Sequence, residues 1–420
     1  QWVDGVVVEV AGTHIASVRV AAPPKEATRL PGLTIPGFAN CHSHAFHRAL
    51  RGRAQRDRGN FWTWRDTMYA VAERLDPDSY YSLALATYRE MALAGITAVG
   101  EFHYVHHGSG GRRYTEPNQM AIALISAARD AGLRIALLDT CYLAAGFGEP
   151  PQGVQQRFSD GTVEAWRDRA LALAEAETGP DVVIGAAIHS VRAVPSCDLG
   201  TVASALPDAP LHAHLSEQPA ENTACLERHG CTPTELLTVR GVLSDRLSVV
   251  HATHLSEHDI DLLGHARCFA AICPTTERDL ADGIGPAPRL VAAGAALTFG
   301  SDSHAVIDPF EEMRALELDE RLASGKRGHW RAADLLEAGT ATGHRSLGFS
   351  AGRIDTGAWA DLVTIDAASP RTAGTGSDAE AVVFAATTAD ITSVIASGRL
   401  IQADPSDVGH QLSESIQAIL

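Results

Sequence analysis

The side chains with most chemistry to offer are histidines and carboxylates that close apolar runs. Leu33-Thr-Ile-Pro-Gly-Phe-Ala-Asn-Cys41 passes directly into His42-Ser-His44. On an extended backbone, side chains at i and i+2 share a face, so these imidazoles supply two corners of a tetrahedral metal site. Alone the pair is weak evidence, because the chain holds 19 histidines. The pattern recurs, however. Glu101-Phe-His-Tyr104, His189-Ser-Val-Arg192, His212-Ala-His214-Leu-Ser-Glu217, His251-Ala-Thr-His254 and Gly300-Ser-Asp302-Ser-His304 each close or carry another such run.

A zinc ion takes about four N or O ligands. His42, His44, one histidine of the 212/214 pair and Asp302 meet that number. His212 and His214 share a face, and spacing alone does not separate them. His214 is favoured because Glu217 follows three residues on, where its carboxylate can reach a water on the metal. His212 is then a deeper packing residue. A metal lowers the pKa of its water from 15.7 to roughly 7. Asp302 can accept a water proton, Glu217 can protonate a departing nitrogen, and His251 can hold the hydroxide or stabilise an oxyanion. This is equipment for attack on an sp2 carbon bearing an amine that leaves as ammonia. Such ligands suit Fe or Mn as well as Zn2+. Two-metal barrel hydrolases often bridge their metals with a carboxylated lysine on a middle strand. The only lysines here, Lys25 and Lys326, lie outside the strand-bearing stretch, so one metal per subunit is expected.

These residues need a scaffold that gathers strand ends. Short apolar strands are predicted at 33–41, 96–102, 134–141, 182–189, 210–215, 247–252, 268–273 and 296–301, with helical patterns at 78–94, 117–131, 163–178 and 309–323. A capping box with Pro at the first helical position, Thr232-Pro-Thr-Glu235, opens a helix over 233–240. Strands apolar on both faces and alternating with helices belong to a buried parallel sheet. Eight of them predict an α/β fold, a (β/α)8 TIM-type barrel over residues 33–346, in which functional residues sit at the C-terminal strand ends. A doubly wound open sheet is disfavoured, because no G-x-G-x-x-G follows the first strand and no G-x-x-x-x-G-K-[ST] occurs. Residues 1–32 and 347–420 read as short strands and turns, expected to form one small β-sandwich domain from both chain ends.

Composition bounds the setting. With 420 residues, 45% hydrophobic and 20% charged, the chain has the balance of a soluble globular protein. A net charge of -17 argues against nucleic acid and anionic membrane as partners. Seven scattered cysteines without a CxxC pair read as reduced thiols. With no signal-peptide pattern and no apolar run of spanning length, a cytoplasmic location is expected.

The motifs at 42–44, 214–217, 251 and 301–302 resemble those of the amidohydrolase superfamily, in its mononuclear deaminase branch. Within that branch the chain is similar to the formimidoylglutamate deiminases of histidine degradation. The stretches that carry this are His42-Ser-His-Ala-Phe-His-Arg-Ala-Leu50, Phe61-Trp-Thr-Trp-Arg65, Glu101-Phe-His-Tyr-Val-His-His107, His189-Ser-Val-Arg192, Val250-His-Ala-Thr-His254 and Gly300-Ser-Asp-Ser-His304. The resemblance implies Zn2+-dependent hydrolysis of N-formimidoyl-L-glutamate to N-formyl-L-glutamate and ammonia by a homodimer. It implies His42, His44, His214 and Asp302 as metal ligands and Glu217 and His251 as catalytic. Arg65, Tyr104, His189 and Arg192 would contact substrate, together with His47, which stands where the family pattern has Gln. The substrate is a dianion, and a guanidinium binds a carboxylate in bidentate fashion. Phe61, Trp62 and Trp64 beside Arg65 are placed to shield the site. His103, His106 and His107 are expected to be structural.

Two other readings compete. A deaminase of a heterocycle such as guanine, cytosine or a triazine needs stacking and amide groups at the mouth rather than paired arginines. A non-catalytic barrel ordinarily loses metal ligands, and none is missing here.

Overall fold

The computed structural model describes residues 2–55 and 61–420, with the backbone alone for Phe61 and Trp62. The chain opens with an antiparallel hairpin of β1 (Val6–Ala11) and β2 (His14–Val20). The run predicted as one strand at 33–41 is two, β3 (Leu33–Pro36) and β4 (Phe38–Ser43). The break falls at Pro36-Gly37, where the backbone passes so close to Thr97 that a Cβ on Gly37 would lie 2.4 Å from its methyl.

From β4 onward, strand and helix alternate. The strands are β5 (Ile96–His103), β6 (Arg134–Cys141), β7 (Val182–Ile188), β8 (Leu211–Leu215), β9 (Leu247–His251), β10 (Phe269–Ile272) and β11 (Ala296–Phe299). With β4 they form an eight-stranded parallel sheet in sequential order. The ring closes between β11 and β4 through a parallel bridge from Ser43 to Asp302. Gly300 permits that closure, since a Cβ there would sit 2.6 Å from the backbone N and O of His42. The fold is a (β/α)8 barrel. Its strands are almost wholly buried, as two-sided coverage by helices requires. The predicted capping box at Thr232 and Glu235 is present.

Both chain ends build the small β layer from two antiparallel sheets. β3 continues into a four-stranded antiparallel sheet with β12 (Leu362–Ile365), β13 (Ile391–Ala396) and β14 (Arg399–Leu400). The β1–β2 hairpin meets it through the bridge from His14 to Trp359. Arg134 of β6 pins this layer to the barrel. It is buried, forms a bidentate pair with Asp361, and stacks 4.5 Å over Trp359.

Within 347–420, read as short strands and turns, the structure has a short helix at Ala379–Phe384 before β13. A helix that the sequence reading did not anticipate, Pro405–Ile419, follows. Asp404 caps it through the N–H groups of Ser406 and Asp407. Its Val408 and Leu412 pack on Ala86 of the helix Pro77–Leu93, outside the barrel. No helix among the described residues is long and apolar enough to cross a membrane.

Candidate metal and catalytic site

The histidine pair is held from three sides. Glu101, at the end of β5, accepts from Ser43 Oγ at 2.6 Å and from the Ala45 N–H at 2.7 Å. Asn40 of β4 exchanges two hydrogen bonds with Ser301, at 2.7 and 2.9 Å. Asp302 N–H donates to His42 O at 3.0 Å, and His44 N–H donates to Asp302 O at 3.2 Å. Strand ends far apart in sequence are thereby laced into one loop cluster.

Inside it, four ligand atoms converge. His42 Nε2 lies 3.1 Å from His214 Nε2, and Asp302 Oδ1 lies 3.4 Å from both His42 Nε2 and His44 Nε2. A tetrahedral zinc with bonds of about 2.0–2.1 Å has ligand–ligand edges of about 3.3–3.4 Å; these three spacings lie near that value, and the ligand atoms of His42, His44 and His214 all fall within 4.8 Å of one another. The outer nitrogens set the tautomers. His44 Nδ1–H donates to Phe102 O at 3.0 Å and His214 Nδ1–H to His189 O at 2.8 Å, which turns each Nε2 lone pair inward. Burial holds His42, His44 and His214 below the usual histidine range, in the neutral form that binds metals. Burial opposes ionisation of Asp302, but His42, His251 and His44 around it keep its carboxyl well below the usual range. His212 is buried and lies outside the group His42, His44 and His214. Both lysines are exposed.

Beside the ligands, His251 Nε2 stands 3.8 Å from Asp302 Oδ2 and 3.9 Å from Glu217 Oε1. Its Nδ1 faces Glu277 Oε1 at 3.3 Å. Burial disfavours charge on His251, yet Glu217, Glu277 and Asp302 together raise it to about 10. Backbone strain gathers here as well. Ser216, His251, Ala252, Asp302 and His304 all have positive φ, between 42° and 66°, a cost that surrounding structure must offset and that concentrates at functional sites.

The predicted substrate residues form a rim on the β5–β7 side. His47 Nε2 meets Tyr104 Oη at 3.0 Å, and burial brings His47 down to about 3, so its ring is neutral. Tyr104 packs edge-on against His44 and His189, with centroids 5.3 and 5.5 Å apart. His189 lies 5.3 Å from the His214 ring, and burial with Arg192 nearby brings it to about 3. Arg192 Nε stands 3.8 Å from Glu221 Oε1. Arg65, on the helix Phe61–Arg74, lies over the ring of Tyr69 at 5.6 Å. Arg192 and Arg65 both lie within electrostatic reach of the Tyr142 phenol. Trp64 packs 5.4 Å from His47, whereas the Phe61 and Trp62 side chains lie outside those described.

The amidohydrolase family pattern matches residues 33–401. The chain belongs to the amidohydrolase family. It is 35% identical over 427 aligned residues to a formimidoylglutamate deiminase of Pseudomonas aeruginosa, covering 98% of this chain and 94% of that one. It is 27% identical to a 5-methylthioadenosine/S-adenosylhomocysteine deaminase of Natronomonas pharaonis, over 89% of this chain and 82% of that one. Among solved structures, an amidohydrolase from Brucella melitensis superposes with a TM-score of 0.87 at 29% identity, covering 99% and 96% of the two chains. The chain is thus a hydrolytic enzyme of the kind that acts on C–N bonds.

This amidohydrolase also carries site residues that strand-end spacing did not reveal. Two strands end without an obvious ligand in the sequence, and both deliver a partner just beyond the strand. Glu277 follows β10 by one helical turn, where Pro274 starts a helix, and reaches His251. Tyr142 is the residue after β6 and packs 4.8 Å from His189. Asp282 is raised to about 8 by burial and by the nearby Glu217, and Gln218 donates to it. Each lies beyond a strand's last position: Tyr142 directly after β6, Glu277 inside the helix after β10, and Asp282 just past that helix.

Proposed function

We propose that this chain hydrolyses N-formimidoyl-L-glutamate to N-formyl-L-glutamate and ammonia with one Zn2+ per subunit, in histidine degradation. The observation that carries the reading is the rim. Arg65 and Arg192 both act electrostatically on the Tyr142 phenol, which packs on His189, and a dianion needs cations that a protein of net charge -17 offers sparingly. The likeness to the Pseudomonas aeruginosa enzyme supports it.

His42, His44, His214 and Asp302 would hold the zinc, which when bound acidifies water and polarises the formimidoyl group. The remaining steps fall to the chain's own groups. Asp302 Oδ1 faces His42 and His44 while Oδ2 faces His251, so Oδ2 is free to take the proton of the attacking water. Glu217, 3.9 Å from His251 Nε2, delivers a proton to the departing nitrogen. His251, fixed through Nδ1 by Glu277, keeps its Nε2 toward the reacting oxygen. Water adds to the formimidoyl carbon, the C–NH2 bond breaks, and the carbon is left as a formyl amide with ammonia released. A cytoplasmic homodimer belongs to the same reading.

Ammonia release from zinc-loaded protein tests it against a panel of N-formimidoyl-L-glutamate, S-adenosylhomocysteine, 5-methylthioadenosine and a chlorotriazine. The expected result is turnover of the first alone. Preference for a heterocycle contradicts the substrate assignment.

A further inference from the structure

Glu217 and His251 face each other at 3.9 Å, and one short segment reaches toward both. The helix Pro274–Leu280 leaves β10 carrying Glu277, whose Oε1 stands 3.3 Å from His251 Nδ1. The helix then stops: Ala281 turns left-handed at φ 60°, and its N–H closes on Glu277 O. Asp282 follows, with its own N–H on the same carbonyl at 2.9 Å. The turn rests on the end of β9, where a Cβ on Gly285 would lie 3.3 Å from Thr253 Cα and 3.4 Å from His251 O. Asp282 is held buried there, and its Oδ1 accepts from Gln218 Nε2. Gln218 is the residue after Glu217 and the N-cap of the helix Pro219–His229. On the other side of Glu217, Ser216, at φ 50°, donates its N–H to Glu221 Oε2 at 3.0 Å. The backbone that carries Glu217 is therefore tied on both sides.

We propose that Asp282 is a positioning residue for proton delivery: by binding Gln218 it sets the reach of Glu217 toward the departing nitrogen, while Glu277 from the same segment sets His251. Residues 277–282 then form a brace that keeps the two groups in register. Asp282 touches no substrate and acts through Gln218 and Glu217. The bond asks for an acceptor oxygen and not for a charge. Burial and the nearby Glu217 raise the Asp282 carboxyl, so the site favours a neutral group at this position. Asp282→Asn keeps the acceptor, whereas Asp282→Ala removes it. The inference rests on the role proposed above for Glu217.

Kinetics of the zinc-loaded full chain on N-formimidoyl-L-glutamate test it. Asp282→Ala should lower kcat roughly 10–100-fold with KM within about twofold, and Asp282→Asn should stay within about threefold of the unaltered protein. Gln218→Met removes the same bond from its other partner. It should show the same loss in kcat, and the double variant should lose no more than either single one. In a Glu217→Gln background, Asp282→Ala should change kcat by no more than about twofold, because no proton donor is left to position. Zinc content and thermal midpoint accompany each variant, so that a folding defect is read separately. A loss carried by KM, an Asp282→Asn as impaired as Asp282→Ala, additive losses in the double variant, or an undiminished loss in the Glu217→Gln background overturns the brace while the deiminase reading stands. A crystal structure of Gln218→Met with Glu217 Oε1 still 3.9 Å from His251 Nε2 overturns it as well. Absence of ammonia from N-formimidoyl-L-glutamate with the unaltered protein overturns the substrate reading instead, and the same variants are then compared on the panel substrate that turns over.

Discussion

Two buried clusters of histidine and aspartate lie in this barrel, and they solve opposite problems. One is the ligand group, where His42 Nε2 lies 3.1 Å from His214 Nε2 and Asp302 Oδ1 lies 3.4 Å from His42 and His44. The other lies between β6 and the helix Val163–Glu177. There Arg169 binds Asp139 at 2.6 and 2.8 Å and Asp160 at 2.9 and 3.1 Å, with Trp166 donating to Asp139 and His107 paired to Asp160. In the second cluster a guanidinium supplies the positive charge that the carboxylates need. In the first, among the described residues, positive charge comes only from His251 at its edge, 3.8 Å from Asp302 Oδ2, and the neutral ligand imidazoles leave their Nε2 lone pairs for a cation. His103 and His106, stacked edge-on at 4.8 Å, adjoin the Arg169 network, with His106 bonded to Thr140 O. Strand-end histidines are therefore not interchangeable. What distinguishes a ligand is convergence of lone pairs, with the outer nitrogen fixed by a carbonyl.

Substitutions can break each cluster separately. His214→Ala removes a corner of the ligand group and should abolish both metal binding and turnover, measured by metal analysis and ammonia release, while the barrel remains folded by circular dichroism. Glu217→Gln should lower kcat by roughly 10²–10⁴ with metal content unchanged, separating proton delivery from ligation. Arg169→Met should have the reverse profile. It strands two buried carboxylates and should cost about 3–5 kcal/mol of stability, read by denaturant unfolding, while the folded fraction keeps its metal.

Acid should find the second cluster. Burial opposes ionisation of Asp160, but His107 and Arg169 hold its carboxyl below the usual range, and Arg134 does the same for buried Asp361. A depressed folded value gives stability that is complete above the unfolded carboxylate value of about 3.9 and is lost as pH falls through the folded one. The thermal midpoint of the metal-free protein should therefore fall below about pH 4, and fall less in Asp160→Asn. The smallest effect expected is at His47. His47→Gln keeps a donor for Tyr104 and should change KM by no more than about fivefold.

Much of the barrel was legible because burial on both faces writes itself as short apolar runs. Seven of the strands were readable within a few residues, and the eighth differed only where Gly37 lets the chain step between sheets. The end of the chain was less legible. Val394-Ile-Ala-Ser-Gly-Arg-Leu-Ile401 shows its strands, whereas Pro405–Ile419 packs a narrow apolar stripe on another helix and offers no period-2 pattern. In the site, residues at the last strand positions could be read from spacing. Glu277 and Asp282 could not, because each reaches the mouth from a loop or short helix whose path depends on tertiary packing.

The most direct test of the account is a crystal structure with bound metal and a non-hydrolysable dianionic mimic, phased at the zinc edge. The account predicts one anomalous peak per subunit bounded by His42 Nε2, His44 Nε2, His214 Nε2 and Asp302, with the mimic's carboxylates on the Arg65 and Arg192 side of the mouth. A second metal peak, a peak ligated by His212 instead, or carboxylates bound away from both arginines would contradict it.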